Sequence, residues 1–300
     1  MNQKQIERKS LIVSSIVNSI ITGAGIWVFA ATQIQALFLD AFFSLVALVS
    51  TIMAIVISTV SKKKTKSYPG GIYFLEPLYA IMKSLLTLSL LVISVIGTST
   101  TAYEYFAHGK GTPMNINPVL PYTICMVVLC FGLGFFNRAQ NKKINNISTI
   151  LTAESKSNFI DGLQSFGVGV AIVFLRLFDI NGSFGFLHFT GDFFITVILV
   201  LMSLKEPLKI LIISFKELSG GITNNKEIQN NVNKIVSTCF SSCTGKIKSD
   251  TFKMGMHIKV KISLLNKFNQ DSVLEFEKAR QKTLTELKKI YDCIEVDLVF

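Results

Sequence analysis

Six apolar runs, each long enough to cross a hydrocarbon core in about 20 helical residues, limit this chain more than any other feature. They fall at 10–31, 36–60, 78–101, 119–136, 153–178 and 191–214. Short polar loops separate them, which predicts a membrane-embedded, all-α domain of six helices over residues 1–215. Only 16% of the residues are charged, against about a quarter in soluble domains. Lys205, Glu206, Pro207 and Lys209 interrupt the sixth run. They are expected to mark its exit from the membrane, with the chain continuing along the surface. The first run is too long for a cleavable signal and lacks a small-residue cleavage site, so it is expected to remain as an anchor.

Charge position predicts the orientation. Lys4, Arg8 and Lys9 precede the first run, Lys62, Lys63, Lys64 and Lys66 follow the second, and Arg138, Lys142 and Lys143 follow the fourth. The loop after the third run has Glu104 and Lys110, and the loop after the fifth has Asp179 and no cation. Cations on alternate loops put both termini in the cytosol. The net charge of +11 is thus directed at anionic lipid headgroups. A nucleic-acid partner is not expected, because the cations form no stripe with interleaved aromatics.

The last part of the chain, 216–300, reads as soluble. Ile228, Val232, Ile235, Val236 and Cys239 have helical spacing. Met256, Ile258, Val260 and Ile262 alternate with polar residues, as do Ile294, Val296, Leu298 and Phe300, which predicts strands with one buried face. A further strand is expected over 245–253 and a second helix at Val273–Ile290. The predicted order is α-β-β-α-β, a cytosolic α+β domain whose two helices cover one face of a three-stranded sheet. The other face carries His257 and Asp297. No phosphate loop, nucleophile elbow or Ser/His/Asp set is present in this tail.

Two carboxylates stand within apolar runs. Asp40 lies between Leu39 and Ala41, with Ser44 one turn later. Asp161 lies one turn after Ser157 and three residues after Asn158. An intramembrane Asp costs about 2.5–3.5 kcal/mol on insertion scales and usually faces a cavity where ions or protons move. If the second and fifth helices pack together, Asp40, Ser44, Ser157, Asn158 and Asp161 surround one small volume fit for a divalent cation. Without the cation, one Asp should hold a proton, so metal and proton are natural exchange partners. The structural alternatives are an ion pair or helix cap for each Asp, and hydrogen-bond glue between helices for the neutral groups. Lys83 is read as interfacial, with Glu76 and Glu154 near helix ends and pairing with loop cations.

The stretches "LFLDAFFSLVAL", "SYPGGIYFLEPLYAIMKSL" and "LTAESKSNFIDGLQSFGVGVAI", in this order and topology, resemble the cation diffusion facilitator family of cation efflux transporters. The resemblance runs over nearly the full length. It implies a transport site of four side chains, two on the second helix and two on the fifth, which fall here on Asp40, Ser44, Ser157 and Asp161. It also implies a ferredoxin-like, metallochaperone-like tail that forms a homodimer, with His257 and Asp297 near positions used for regulatory metal. Two positions depart from the family pattern: Ser44 replaces an Asp, and Ser157 replaces a His, Asn or Asp. An all-oxygen site suits Mn²⁺ or Fe²⁺ better than Zn²⁺.

The function expected is export of a divalent metal cation from the cytosol in exchange for protons, across a cytoplasmic membrane, with no prosthetic group and no enzymatic step. A non-transporting sensor or scaffold that signals through its tail is the alternative.

Overall fold

The computed structural model describes residues 3–32, 35–109, 119–177, 182, 184–241, 243, 247–264 and 270–299; side chains 31–43, 119, 171, 172, 175, 176, 192, 195, 199 and 270–272 lie outside this description. Seven helices form the first part: α1 Gln3–Thr32, α2 Gln35–Val60, α3 Leu75–His108, α4 Val119–Lys143, α5 Thr149–Leu177, α6 Leu187–Ser203 and α7 Lys205–Leu218. The tail follows as α8 Lys226–Cys239, β1 Ile247–Met254, β2 His257–Leu264, α9 Gln270–Lys288 and β3 Ile294–Val299.

The bundle is polar inside and apolar outside. On α1, Ser10, Ser14, Asn18 and Thr22 recur every fourth residue and are all buried. Large apolar side chains point outward instead, Trp27 at 72% and Leu201 at 69% exposure among them. That arrangement belongs in lipid, where tails solvate Leu and interhelical hydrogen bonds supply the glue. Among the described residues, four helical stretches are long and apolar enough to span a bilayer: Gln3–Ala30, Leu75–His108, Leu120–Lys143 and Leu187–Leu218. The described part of α2, Ser44–Val60, is a shorter apolar helix, and α5 begins with polar turns that include Glu154, Ser155, Lys156 and Ser157. The chain is therefore an integral membrane protein.

The sixth run is divided into α6 and α7 at its charged residues. Leu204, between α6 and α7, keeps helical angles, and its N–H still bonds Val200. The break is local because Pro207 has no N–H to offer Ser203. Helix α7 then packs along α3 and ends beside β1.

Close helix approach sets the position of α5. At Gly162 an added Cβ would come within 3.2 Å of the Cys130 Cβ on α4. The α4–α5 turn places Asn145 and Asn146 at positive φ, a region Asn tolerates. Asn141 closes that turn by donating to the Ser148 carbonyl and accepting from its N–H.

In the tail, β1 and β2 pair antiparallel, β2 and β3 pair parallel, and the sheet order is β1-β2-β3. The crossover through α9 makes the parallel pair possible. Ile258, Val260 and Ile262 are fully buried under α8 and α9, with Phe276, Leu287 and Tyr291. The predicted element order and alternation are those observed.

The sheet is not free on its far side, because the hairpin tip is wedged against the bundle. Gly255 has φ +60°, and a Cβ there would lie 2.7 Å from the Glu76 carboxylate and 2.8 Å from the Tyr73 carbonyl. Gly255→Val is expected to separate the tail from the bundle, since left-handed backbone strain of about 1–2 kcal/mol adds to a contact that cannot relax. Faster protease cleavage of the 219–225 linker, with the sheet intact, is the readout. A variant cleaved at the wild-type rate would contradict this docking.

Candidate metal site

Helices α2 and α5 bring part of the predicted ligand set together. Ser44, Asn158 and Asp161 line one small cavity of about 20 Å³, together with Gln164 and Ser165. Ser157, Asp161 and Gln164 line a second of about 30 Å³, with Ser50 and Lys83. Either volume is enough for a water-sized guest. Asp161 is half-buried and forms part of both walls, whereas Ser44, Ser157 and Asn158 are buried.

The sequence put both Ser157 and Asn158 within reach of Ser44 and Asp161; Asn158 shares Ser44's cavity, and Ser157 lines the other. The physical reason is helix phase. Residues 158 and 161 are three apart, residues 157 and 161 four apart, and the two pairs diverge to either side of Asp161. Asn158 is also under-satisfied, because its Nδ2 is buried and has no hydrogen-bond partner. An amide rotates by a half-turn at no covalent cost, so that orphaned end can present a carbonyl oxygen to a cation. Every side-chain donor toward the first cavity except the Cys130 and Met126 sulfurs is an oxygen or an amide, a set for hard cations. Asp40 belongs to α2, one turn before Ser44, and its side chain lies outside the described residues.

The residues that sequence reasoning misplaced lie one and two turns below Asp161. Lys83 is 6% exposed and Glu154 fully buried, and they form an ion pair across α3 and α5. Glu154 Oε1 also accepts from the Tyr79 hydroxyl, and Oε2 accepts from Thr51 Oγ1 at 2.9 Å. Asn18 donates to Thr51 at 2.9 Å. One carboxylate thus gathers α1, α2, α3 and α5. Lys83 is thus buried within the bundle, and Glu154 pairs with it rather than with a loop cation. The readable signal was Tyr79 and Lys83, four apart on a helix that has no other charge between Glu76 and Glu104.

A second buried cluster lies nearer the tail. Lys4 Nζ is 2.6 Å from Glu7 Oε1 and 2.7 Å from Glu76 Oε1. Glu7 also accepts from Ser58 and Ser148. A third joins Lys253 of β1 to Glu217 of α7 at 2.8 Å and to Thr149 of α5 at 2.7 Å.

In the tail, His257 and Asp297 are not brought together. The β2–β3 register sets Asp297 against Lys261 and Glu295 against Lys259, so four residues, about 13 Å of strand, separate His257 from the partner of Asp297. His257 stacks on Tyr73 with ring centroids 5.5 Å apart, and its Nε2 is 3.6 Å from Glu295. Burial outweighs that carboxylate and holds the imidazole below its ordinary pKa of 6.5. Asp297 is engaged by Lys259 at 2.8 Å. Among the described residues no group of three or more His, Cys, Asp or Glu could hold a metal ion.

No curated protein matches the chain. The cation efflux transmembrane domain, by contrast, matches residues 11–219, which takes in α2, α5 and both cavities. On that match, over more than half its length, the chain belongs to the cation efflux family of membrane transporters.

Proposed function

We propose that this protein is a secondary active transporter that exports a divalent metal cation from the cytosol, in exchange for protons, by alternating access. The observation that carries the reading is Asp161, a carboxylate within an apolar helix that walls two small cavities and is joined there by Ser44, Asn158 and Ser157. Asp40 supplies the second charge, in keeping with the family site. Two carboxylates and neutral oxygens favour Mn²⁺ or Fe²⁺ over Zn²⁺, which prefers imidazole or thiolate; no His is among the four family positions. The six-span topology has both termini cytosolic, in a cytoplasmic membrane. The tail from residue 216 onward pairs two copies into a homodimer.

The test is flux into proteoliposomes, metal by metal, with and without an acidic lumen. Mn²⁺ and Fe²⁺ uptake should exceed Zn²⁺ uptake and should rise when the lumen is acidic. Uptake indifferent to the pH gradient removes the proton exchange. No uptake of any divalent ion removes the transport reading.

A further inference from the structure

We propose that Lys83 is a tethered competitor of the cargo: an ammonium held by Glu154 that moves to Asp161 when the transport site is empty. The proposal rests on the transport reading above and deepens it. The geometry begins on α5, where Glu154, Ser157 and Asp161 follow one another at successive turns. Glu154 and Asp161 are seven residues apart, about 10 Å along the axis. Lys83 on α3 pairs with the first of these carboxylates and lines the same cavity as the second, beside Thr87 and Leu90.

Burial leaves this ammonium few places to go. Its side chain is 7% exposed, so leaving Glu154 for water means crossing the packed bundle. An ammonium has three donors, and a desolvated one settles only where a carboxylate meets it. Its flexible four-carbon stem can swing up the cavity wall from Glu154 toward Asp161. Glu154 is built to tolerate the departure. Tyr79 stays on one oxygen and Thr51, itself tied to Asn18, on the other.

A divalent cation at Asp161 repels Lys83 back onto Glu154, and cargo release lets it return. Glu154 and Asp161 thus share one resident charge, and the affinity of the site depends on which of them holds it. The two ends of the pair should then act in opposite directions. Lys83→Met removes the competitor and tightens cation binding. Glu154→Gln frees the ammonium to sit at Asp161 and weakens binding. A static ion pair gives these signs too, by charge alone, but deleting both of its members then leaves the affinity unchanged, whereas deleting a mobile competitor with its holder tightens binding.

The experiment is Mn²⁺ binding to the full-length protein in detergent, followed by the electron paramagnetic resonance signal of free Mn²⁺. Lys83→Met is expected to lower the Kd on the order of tenfold, and Glu154→Gln to raise it on the order of tenfold, as neighbouring charges do at an intermediate dielectric. The double variant keeps the pair neutral and guards against misfolding of either single one; it should bind more tightly than wild type, because the competitor is gone and no net charge has changed. Both single variants shifting in one direction, neither shifting, no measurable binding in any variant, or a double variant no tighter than wild type overturns the proposal. Asp161→Asn separates the two readings. If it binds Mn²⁺ like wild type, the transport site is elsewhere and the functional reading fails. If it loses binding while the pair variants shift together, only the role of Lys83 fails.

Discussion

Asp161→Asn is expected to abolish Mn²⁺ flux while leaving the fold unharmed or slightly more stable. The substitution keeps the size of the side chain and removes its charge. Asp161 lies on both cavity walls, so a cation in either would lose its charged ligand. Losing an outer-shell partner already costs about 10–100-fold in metal affinity, and losing a direct anionic ligand should exceed that. Stability should move the other way, because placing a charge inside an apolar helix carries an insertion cost of about 2.5–3.5 kcal/mol, which an amide avoids. The pair of measurements is proteoliposome flux and thermal unfolding in detergent. Loss of flux with an unchanged or raised Tm identifies a site that stability did not select. Flux retained at the wild-type rate would place transport elsewhere in the bundle.

The legible part of this protein was what periodicity and length write directly. The buried alternation at Ile258, Val260 and Ile262 predicted β2, and the same pattern at Ile294 and Val296 predicted β3. Asp161 announced itself because an acid inside an apolar run has no cheap structural excuse. Partner choice was harder to read. Lys4 looks like one of several cations that set orientation, yet it is buried between two carboxylates. Glu154 looks like a helix-end acid, yet it receives groups from two other helices, Thr51 of α2 and Tyr79 and Lys83 of α3. Both errors have one origin: a charge within two turns of a helix end has the same local sequence whether it faces headgroups or the bundle interior. Only the rotation of the helix decides, and rotation is a tertiary property. Which of Ser157 and Asn158 faces Ser44 stayed open for the same reason, since adjacent residues differ by about 100° of helix phase.

Lys4→Met is the strongest structural prediction. A solvated lysine near an N-terminus can be replaced for about 0.5 kcal/mol or less, and a lysine that only sets topology leaves Arg8 and Lys9 to do so. Lys4 holds a different position. Glu7 and Glu76 are both fully buried, and its ammonium stands between them at 2.6 and 2.7 Å. Removing it leaves two desolvated carboxylates facing each other. Breaking a buried pair from one side costs about 3–5 kcal/mol, and here both acids lose the same partner. The damage should spread along the contacts of those acids. Glu7 fixes Ser58 of α2 and Ser148 at the start of α5, while Glu76 lies against the Gly255 hairpin tip. The tail should therefore loosen together with the bundle end. Thermal unfolding should report a large drop, and hydrogen exchange should quicken at both β1–β2 and the α4–α5 turn. Adding Glu7→Gln and Glu76→Gln to Lys4→Met should recover most of the loss, because it removes the stranded charges rather than restoring the pair. If Lys4→Met melts with the wild type, or the triple variant is as weak as the single one, uncompensated buried charge does not hold this end of the bundle together.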